Sequence, residues 1–424
     1  MHSLGKATIE QSVATLPPTK SLSRSTGEWL TAARYFATGA CVGLFAWNFG
    51  SHVGNLLCVL ALPVVWARTR GRWIAALMML GYFAAGSAGA IPGVPVFFGN
   101  PEALWMGLAV WLAFTVAATI PFVLLWTTNT RWRPWQFVGA IAILTLPPFG
   151  AIGMFNPIAV AGALFPWLGW YGLLLTVTLV LVLGYHSVRW TVVLVSMALV
   201  ANALATLETP APPSGWRGMD THLGGLTSGG SADAGQILAA MERVTWLNQL
   251  AATVPPNAVV VLPETIVGSF NGLTQAMLGA AETTLRAQGS IIFVGAEIPQ
   301  DVGGYQNAMV ALGAPLGQPT VAVQSVPVPI AMWRPWSSDA AIASLWSHRG
   351  RHIRIKGVDV AVSICYEQLL PFALLAAMVD EPKLLVAVSN VWWASGTSVP
   401  QIQRLTVDAI ARLFGVATVR ADNS

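Results

Sequence analysis

Hydrophobic and polar positions follow two different patterns, and the change falls near residue 207. Before it the chain runs through long apolar stretches at about 31–49, 52–67, 73–92, 104–126, 135–155, 167–184 and 190–206, after a polar, Ser/Thr-rich tail over 1–29. A helix needs about 20 mostly apolar residues to cross a bilayer. The stretches therefore predict seven membrane-spanning helices over 30–206, the second short and the fifth interrupted by Pro147 and Pro148. After the Pro-rich linker 208–215 the apolar runs shorten. Helical spacing over 237–254 is followed by a β-branched run at 257–264 and a second helix over 274–289 with Gly289 as its C-cap. Strands are predicted at 290–298, 306–313, 358–367 and 383–390, with a helix over 369–380. Strands alternating with helices predict an α/β domain over 207–424 with a buried sheet.

Composition supports this division. Hydrophobic residues make up 55% of the chain and charged residues 9%, against roughly a quarter charged in soluble domains. The few basic residues are placed informatively. Arg68, Arg70 and Arg72 follow the second stretch, Arg131 and Arg133 the fourth, and Arg189 the sixth, while the tail holds Lys6, Lys20 and Arg24. The loops after the first, third and fifth stretches contain no Lys or Arg. Basic loops stay on the cytoplasmic side. The expected topology is thus a multi-pass bacterial inner-membrane protein, N-terminus in the cytoplasm and residues beyond 207 in the periplasm. Trp29, Trp66, Trp73, Trp105, Trp126, Trp135, Trp167, Trp170 and Trp190 lie near the ends of the stretches, where indole rings suit the interface.

Several functions are disfavoured. No stretch carries an acidic residue in its interior, so no ion pathway is indicated. The basic residues form orientation clusters rather than a nucleic-acid footprint, and no direct nucleic-acid partner is expected. The segment 348–356, HRGRHIRIK, reads as a solvated basic hairpin. Its His348 and His352 flank Gly350 and two arginines and do not form a metal site, and there is no phosphate-binding Gly-Lys-Ser/Thr loop. No cofactor or metal is expected. Three cysteines give no disulfide framework, and Cys41 and Cys58 lie inside apolar stretches.

Two polar residues end apolar strands: Glu264 in VVVLPET and Cys365 in VAVSICYE. Each alone is ordinarily a cap or a core residue. Taken with LLVAVSNVWWASGT (384–397), QRLTVDAIARLFGVATVRADNS (403–424) and the opening GWRGMDTHLGG (215–225), they resemble the carbon–nitrogen hydrolase (nitrilase) superfamily. With seven helices in front, the architecture looks like apolipoprotein N-acyltransferase or its relative in plasmid conjugal transfer.

The resemblance implies a polytopic helical domain followed by an α/β nitrilase-like αββα sandwich. It further implies Cys365 as nucleophile on an acyl carbonyl, Glu264 as general base, the backbone N–H of Tyr366 as oxyanion donor, and Glu367 as a second assisting carboxylate. Partners would be the lipid bilayer, a phospholipid or lipoprotein acyl substrate, and conjugation machinery. The loops IAMWRPW and NVWWASG would form a lipid-facing mouth. Two departures stand out. The superfamily's Lys falls at Gln324 in AVQSVPVPIAMWRPW, the lysines nearest along the chain being Lys356 and Lys383, both expected at the surface. Arg334 and Arg351 are the other nearby cations. The acyltransferases' following Glu is replaced by Met332, and the closing segment is expected to be shortened at the C-terminus. Three readings follow: a conjugation-associated protein whose site is weakened or altered, a working acyltransferase or amide hydrolase, and a non-catalytic membrane scaffold.

Overall fold

A computed structural model describes residues 22–226, 234–301, 303–315, 320–346 and 351–424. The lysines of the tail, part of the loop before residue 234 and His348 lie outside them. The N-terminal part is helical: α1 (Leu22–Asn48), α2 (Ala61–Ala67), α3 (Arg72–Gly86), α4 (Ala90–Phe97), α5 (Leu104–Leu124), α6 (Arg133–Thr145), α7 (Ala161–Leu164), α8 (Gly169–Gly184) and α9 (Val188–Ala205). Among the described residues two of these, α5 and α9, are long and apolar enough to cross a membrane, and four spans result if each of two bent pairs counts as one, against the seven expected. The third apolar stretch is such a pair, α3 and α4 meeting at 54°. The fifth stretch stops at Thr145, where consecutive prolines remove two helical N–H donors.

Small residues set the packing of the bundle. A Cβ on Gly39, Gly43 or Gly81 would lie 1.8, 2.1 or 2.3 Å from a backbone oxygen of the facing helix, so α1 and α3 touch backbone to backbone. Trp73 and Trp105 are exposed, whereas Trp66 and Trp126 are buried within the bundle. Trp126 bonds Thr69 at 2.9 Å and carries the Arg133 guanidinium over its ring. Arg133 in turn donates to the carbonyls of Ala67 and Thr69, closing the end of α2.

Beyond residue 207 the chain forms β1 (Trp216–Gly218), α10 (Ala234–Thr253), β2 (Val259–Val261), α11 (Gly272–Met277), α12 (Gly279–Gln288), β3 (Ile291–Pro299), β4 (Tyr305–Leu312) and β5 (Val321–Val323). Then come β6 (His352–Ile355), β7 (Val358–Ile364), α13 (Pro371–Ala377), β8 (Leu384–Asn390), α14 (Val399–Phe414) and β9 (Ala417–Asn423). One sheet runs β1-β2-β3-β4-β5, the other β6-β7-β8-β9. Apolar side chains of β2, β3 and β4 meet those of β7, β8 and β9 in one core between the sheets. A second core joins the first sheet to α10 and α12, and a third joins the other sheet to α13 and α14. The expected αββα layering is therefore present. Gly289 closes α12 in the left-handed conformation, as its position predicted.

Three details differ from expectation. The strand read over 257–264 is confined to β2, because Pro263 cannot continue a ladder and the chain turns at Thr265, φ +56°. The basic cluster does contain a hairpin, β6 to β7 through Lys356 and Gly357 with positive φ at both. It is not wholly solvated, however: Arg351 is 2% exposed. Finally, α14 is buried on two faces, which its single apolar stripe does not announce. Its Val407 and Ile410 pack on the sheet, while Ile402, Leu405 and Ala409 join the core of the helical bundle. Gly162 of α7 allows this, since a Cβ there would sit 1.8 Å from the Ala409 carbonyl oxygen.

Candidate active site

Glu264 and Cys365 arrive from different sheets. Glu264 follows β2 on a turn held close to β3, where Gly295 leaves room: a Cβ there would lie 2.5 Å from the Glu264 Cα. Cys365 follows β7 and opens a tight 3-10 turn, Cys365–Leu369, with φ +49°. A non-glycine residue in the left-handed region is strained, and such strain persists only where packing over-determines it. The turn brings the thiol to the first sheet, close enough to the Glu264 carboxyl for the two groups to shift each other's titration. Both residues are buried.

The remaining capacity of Glu264 is filled. Its Oε1 accepts from Asn307 Nδ2 at 2.6 Å and its Oε2 from the Asn390 backbone N–H at 3.0 Å. Burial pushes the Glu264 carboxyl up to about 7, against the pull of the Cys365 thiol and of the hydrogen bonds from Asn307 and Asn390, and nearby Glu297 adds to the rise. Burial first, and the Glu264 charge second, push the Cys365 thiol well above its usual range. The resting pair is a protonated thiol facing a carboxyl group able to act as a base near neutrality.

Gln324, at the position of the expected lysine, is 1% exposed and lies in this cluster. Its Nε2 donates to the Ile364 carbonyl at 2.8 Å, and its Oε1 accepts from the same Asn307 amide at 2.9 Å. Lys356 and Lys383 are exposed, and Lys356 Nζ bonds the carbonyls of Asn257 and Gly289 instead. Arg351 donates to Ser325 Oγ at 2.6 Å and to the Ala373 carbonyl. Arg334 lies beside Asp339.

Glu367 is occupied otherwise. Its Oε1 accepts from the N–H groups of Ser325 and Val326 at 2.9 and 3.1 Å, and its Oε2 from that of Ile364 at 3.1 Å. Burial raises its carboxyl, opposed by Arg351. It ties the segment after Gln324 to the strand before Cys365. Tyr366 sends its side chain away from the thiol, its hydroxyl donating to the Ala151 carbonyl in the bundle at 2.8 Å. Its backbone N–H lies at the start of the 3-10 turn, where N–H groups lack partners within the turn.

Three further residues complete the site without having been singled out in the sequence. Asn307 bridges Glu264 and Gln324. Gln403 on α14 donates to the Cys365 carbonyl at 3.0 Å and lies 4.0 Å from its Sγ. Asn423 receives Thr221 and donates to Asn390 at 2.8 Å, fixing the loop whose N–H reaches Glu264. Of the two Trp-bearing loops, one exposes Ile330 and Trp336, and the other packs Trp393 against Phe97 of α4 at 5.3 Å.

A helical bundle carrying a four-layer α/β domain, with a buried Cys/Glu pair where the two sheets meet, is the class of protein these features define. The chain belongs to the conjugal transfer protein TraB family. It is 33% identical over 399 residues to the probable conjugal transfer protein TraB of Sinorhizobium fredii strain NGR234, a match spanning 90% of this chain and 96% of that one. It is 30% identical over 423 residues to the conjugal transfer protein TraB of Agrobacterium fabrum strain C58, at 95% of each. No family model matches the chain. Among solved structures it is similar to a nitrilase-superfamily amidase from Nesterenkonia AN1, at TM-score 0.34 and 12% identity over 49% of this chain and 78% of that one.

Proposed function

We propose that this chain is a multi-pass inner-membrane protein of plasmid conjugal transfer whose outer domain carries a thiol-dependent acyl-transfer or amide-hydrolysis site. The observation that supports it best is the burial of the Cys365 thiol beside the Glu264 carboxyl, which Asn307 and the Asn390 N–H hold in place. The alternation of arginine-bearing and arginine-free loops between the seven apolar stretches supports the topology.

In this reading Glu264 takes the thiol proton as Cys365 Sγ attacks an acyl carbonyl carbon. The tetrahedral oxyanion meets the Tyr366 N–H. Collapse breaks the bond to the leaving group, which receives the proton from Glu264 and leaves a thioester. Water or an amine then gives its proton to Glu264 as it attacks the thioester, and the released thiolate is reprotonated. Gln324 supplies dipoles and no charge. A missing oxyanion donor costs on the order of 10²–10³ in rate, so the site is weaker than one with lysine.

The test is a lipid-tailed thiol-reactive probe applied to membranes, followed by plasmid transfer assays. Cys365-dependent labelling together with a fall in transfer in Cys365→Ala supports the reading. Equal labelling of wild type and Cys365→Ala removes the chemistry. Unchanged transfer in that variant leaves a scaffold.

A further inference from the structure

Two neighbouring cavities open where the helical bundle meets the C-terminal end of α14. The larger is about 690 Å³, within the roughly 300–1,000 Å³ typical of ligand pockets. Leu57, Leu60, Leu164, Val195 and Leu199 line it. Leu57, Val195 and Leu199 are exposed, so the apolar lining is open to whatever surrounds the bundle. The smaller, about 270 Å³, is lined by Thr209, Asp408 and Thr418. Val53 and Arg412 line both.

Arg412 is the charged group at this junction. Its guanidinium donates to Asn202 Oδ1 at 2.7 Å and makes no ion pair among the described residues. The nearby carboxylate, Asp408, is bonded to Arg420. An apolar cavity bordered by a cation without a counter-charge complements a molecule with a hydrocarbon tail and an anionic head.

We propose that this junction binds an anionic glycerophospholipid, one acyl chain in the larger cavity and the phosphate on Arg412. The seat is separate from the thiol site. Gln403, which touches Cys365, lies nine residues before Arg412 on the same helix, roughly 13 Å along its axis at 1.5 Å per residue. The lipid is therefore a bound constituent joining the bundle to the α/β domain rather than the acyl substrate. The proposal rests on the membrane reading of the bundle, which resistance of the full chain to carbonate extraction reports on separately.

The experiment is native mass spectrometry of the full chain in detergent, offered phosphatidylglycerol, diacylglycerol or inorganic phosphate. Wild type should retain one phosphatidylglycerol and no diacylglycerol, and inorganic phosphate should not displace it. Arg412→Glu should lower retention about tenfold or more, as expected for a lost charge-assisted bond, and Arg412→Lys should restore most of it. Leu199→Trp, which fills the cavity and spares the cation, should lower it independently. Retention unchanged in both Arg412→Glu and Leu199→Trp, equal retention of diacylglycerol, or displacement by phosphate would each overturn the proposal.

Discussion

Glu264 and Gln324 are joined through a single amide: Asn307 Nδ2 donates to an oxygen of each, at 2.6 and 2.9 Å. Where the superfamily resemblance implies an ammonium group, the Glu264 carboxylate faces a neutral carboxamide chain. Burial outweighs these neutral hydrogen bonds, and its proton is held to about 7. Replacing Gln324 by Lys should place a positive charge beside the carboxylate, and opposite charges at such range lower a carboxyl by about 1–3 units. The pH at which thiol alkylation accelerates should fall accordingly, as measured by iodoacetamide labelling across pH 5–9.

In the wild type, labelling of Cys365 should track the ionised fraction of Glu264. The base works when deprotonated, so the rate should climb as pH rises through about 7. Glu264→Gln should flatten that rise. Persistence of the same rise in Glu264→Gln would assign it to another group.

The same shift has a consequence for stability. A carboxyl raised from 4.5 to about 7 in the fold is more protonated there than in the unfolded chain. Its contribution is fully present below 4.5 and is lost as pH rises to about 7, amounting to about 3 kcal/mol by linkage. Thermal unfolding in detergent should move to lower temperature over that window, and less so in Glu264→Gln.

Glu367 predicts a folding defect rather than a kinetic one. Three backbone N–H groups point at its two oxygens. Glu367→Gln turns one of those oxygens into a donor facing donors, leaving buried groups unpaired at about 1–3 kcal/mol each. Expression and melting temperature should drop. A fully folded variant with wild-type melting would contradict this role.

Gly162→Leu should prevent the bundle from docking on α14, since even a Cβ at this position collides with the Ala409 carbonyl. The expected result is loss of monodisperse protein on gel filtration, whereas Gly99→Ala, at a position with open space, should cost only its backbone strain at φ +71°.

Much of the architecture was legible in the chain because period and length separate long apolar helices from short buried strands. Glu264 and Cys365 stood out because polar groups at the ends of apolar strands are uncommon. Asn307 and Gln403 were not legible. An amide in QNAMVALG or at the start of an amphipathic helix looks like an ordinary polar position, and its partners lie 43 and 38 residues away. The second buried face of α14 was hidden for a related reason: Ile402, Leu405 and Ala409 read as the same apolar stripe that the sheet already requires. Arg351 looked like one cation in a basic run, and only the fold shows it enclosed against Ser325 and Ala373.

Because α14 is shared, the two halves of this molecule are unlike beads on a string. A cut at the Pro-rich segment 208–215 would strip Ile402, Leu405 and Tyr366 of their neighbours and present a greasy face to water. The thiol site is thus moored to the helical bundle by construction, and the two must rise or fall together in folding.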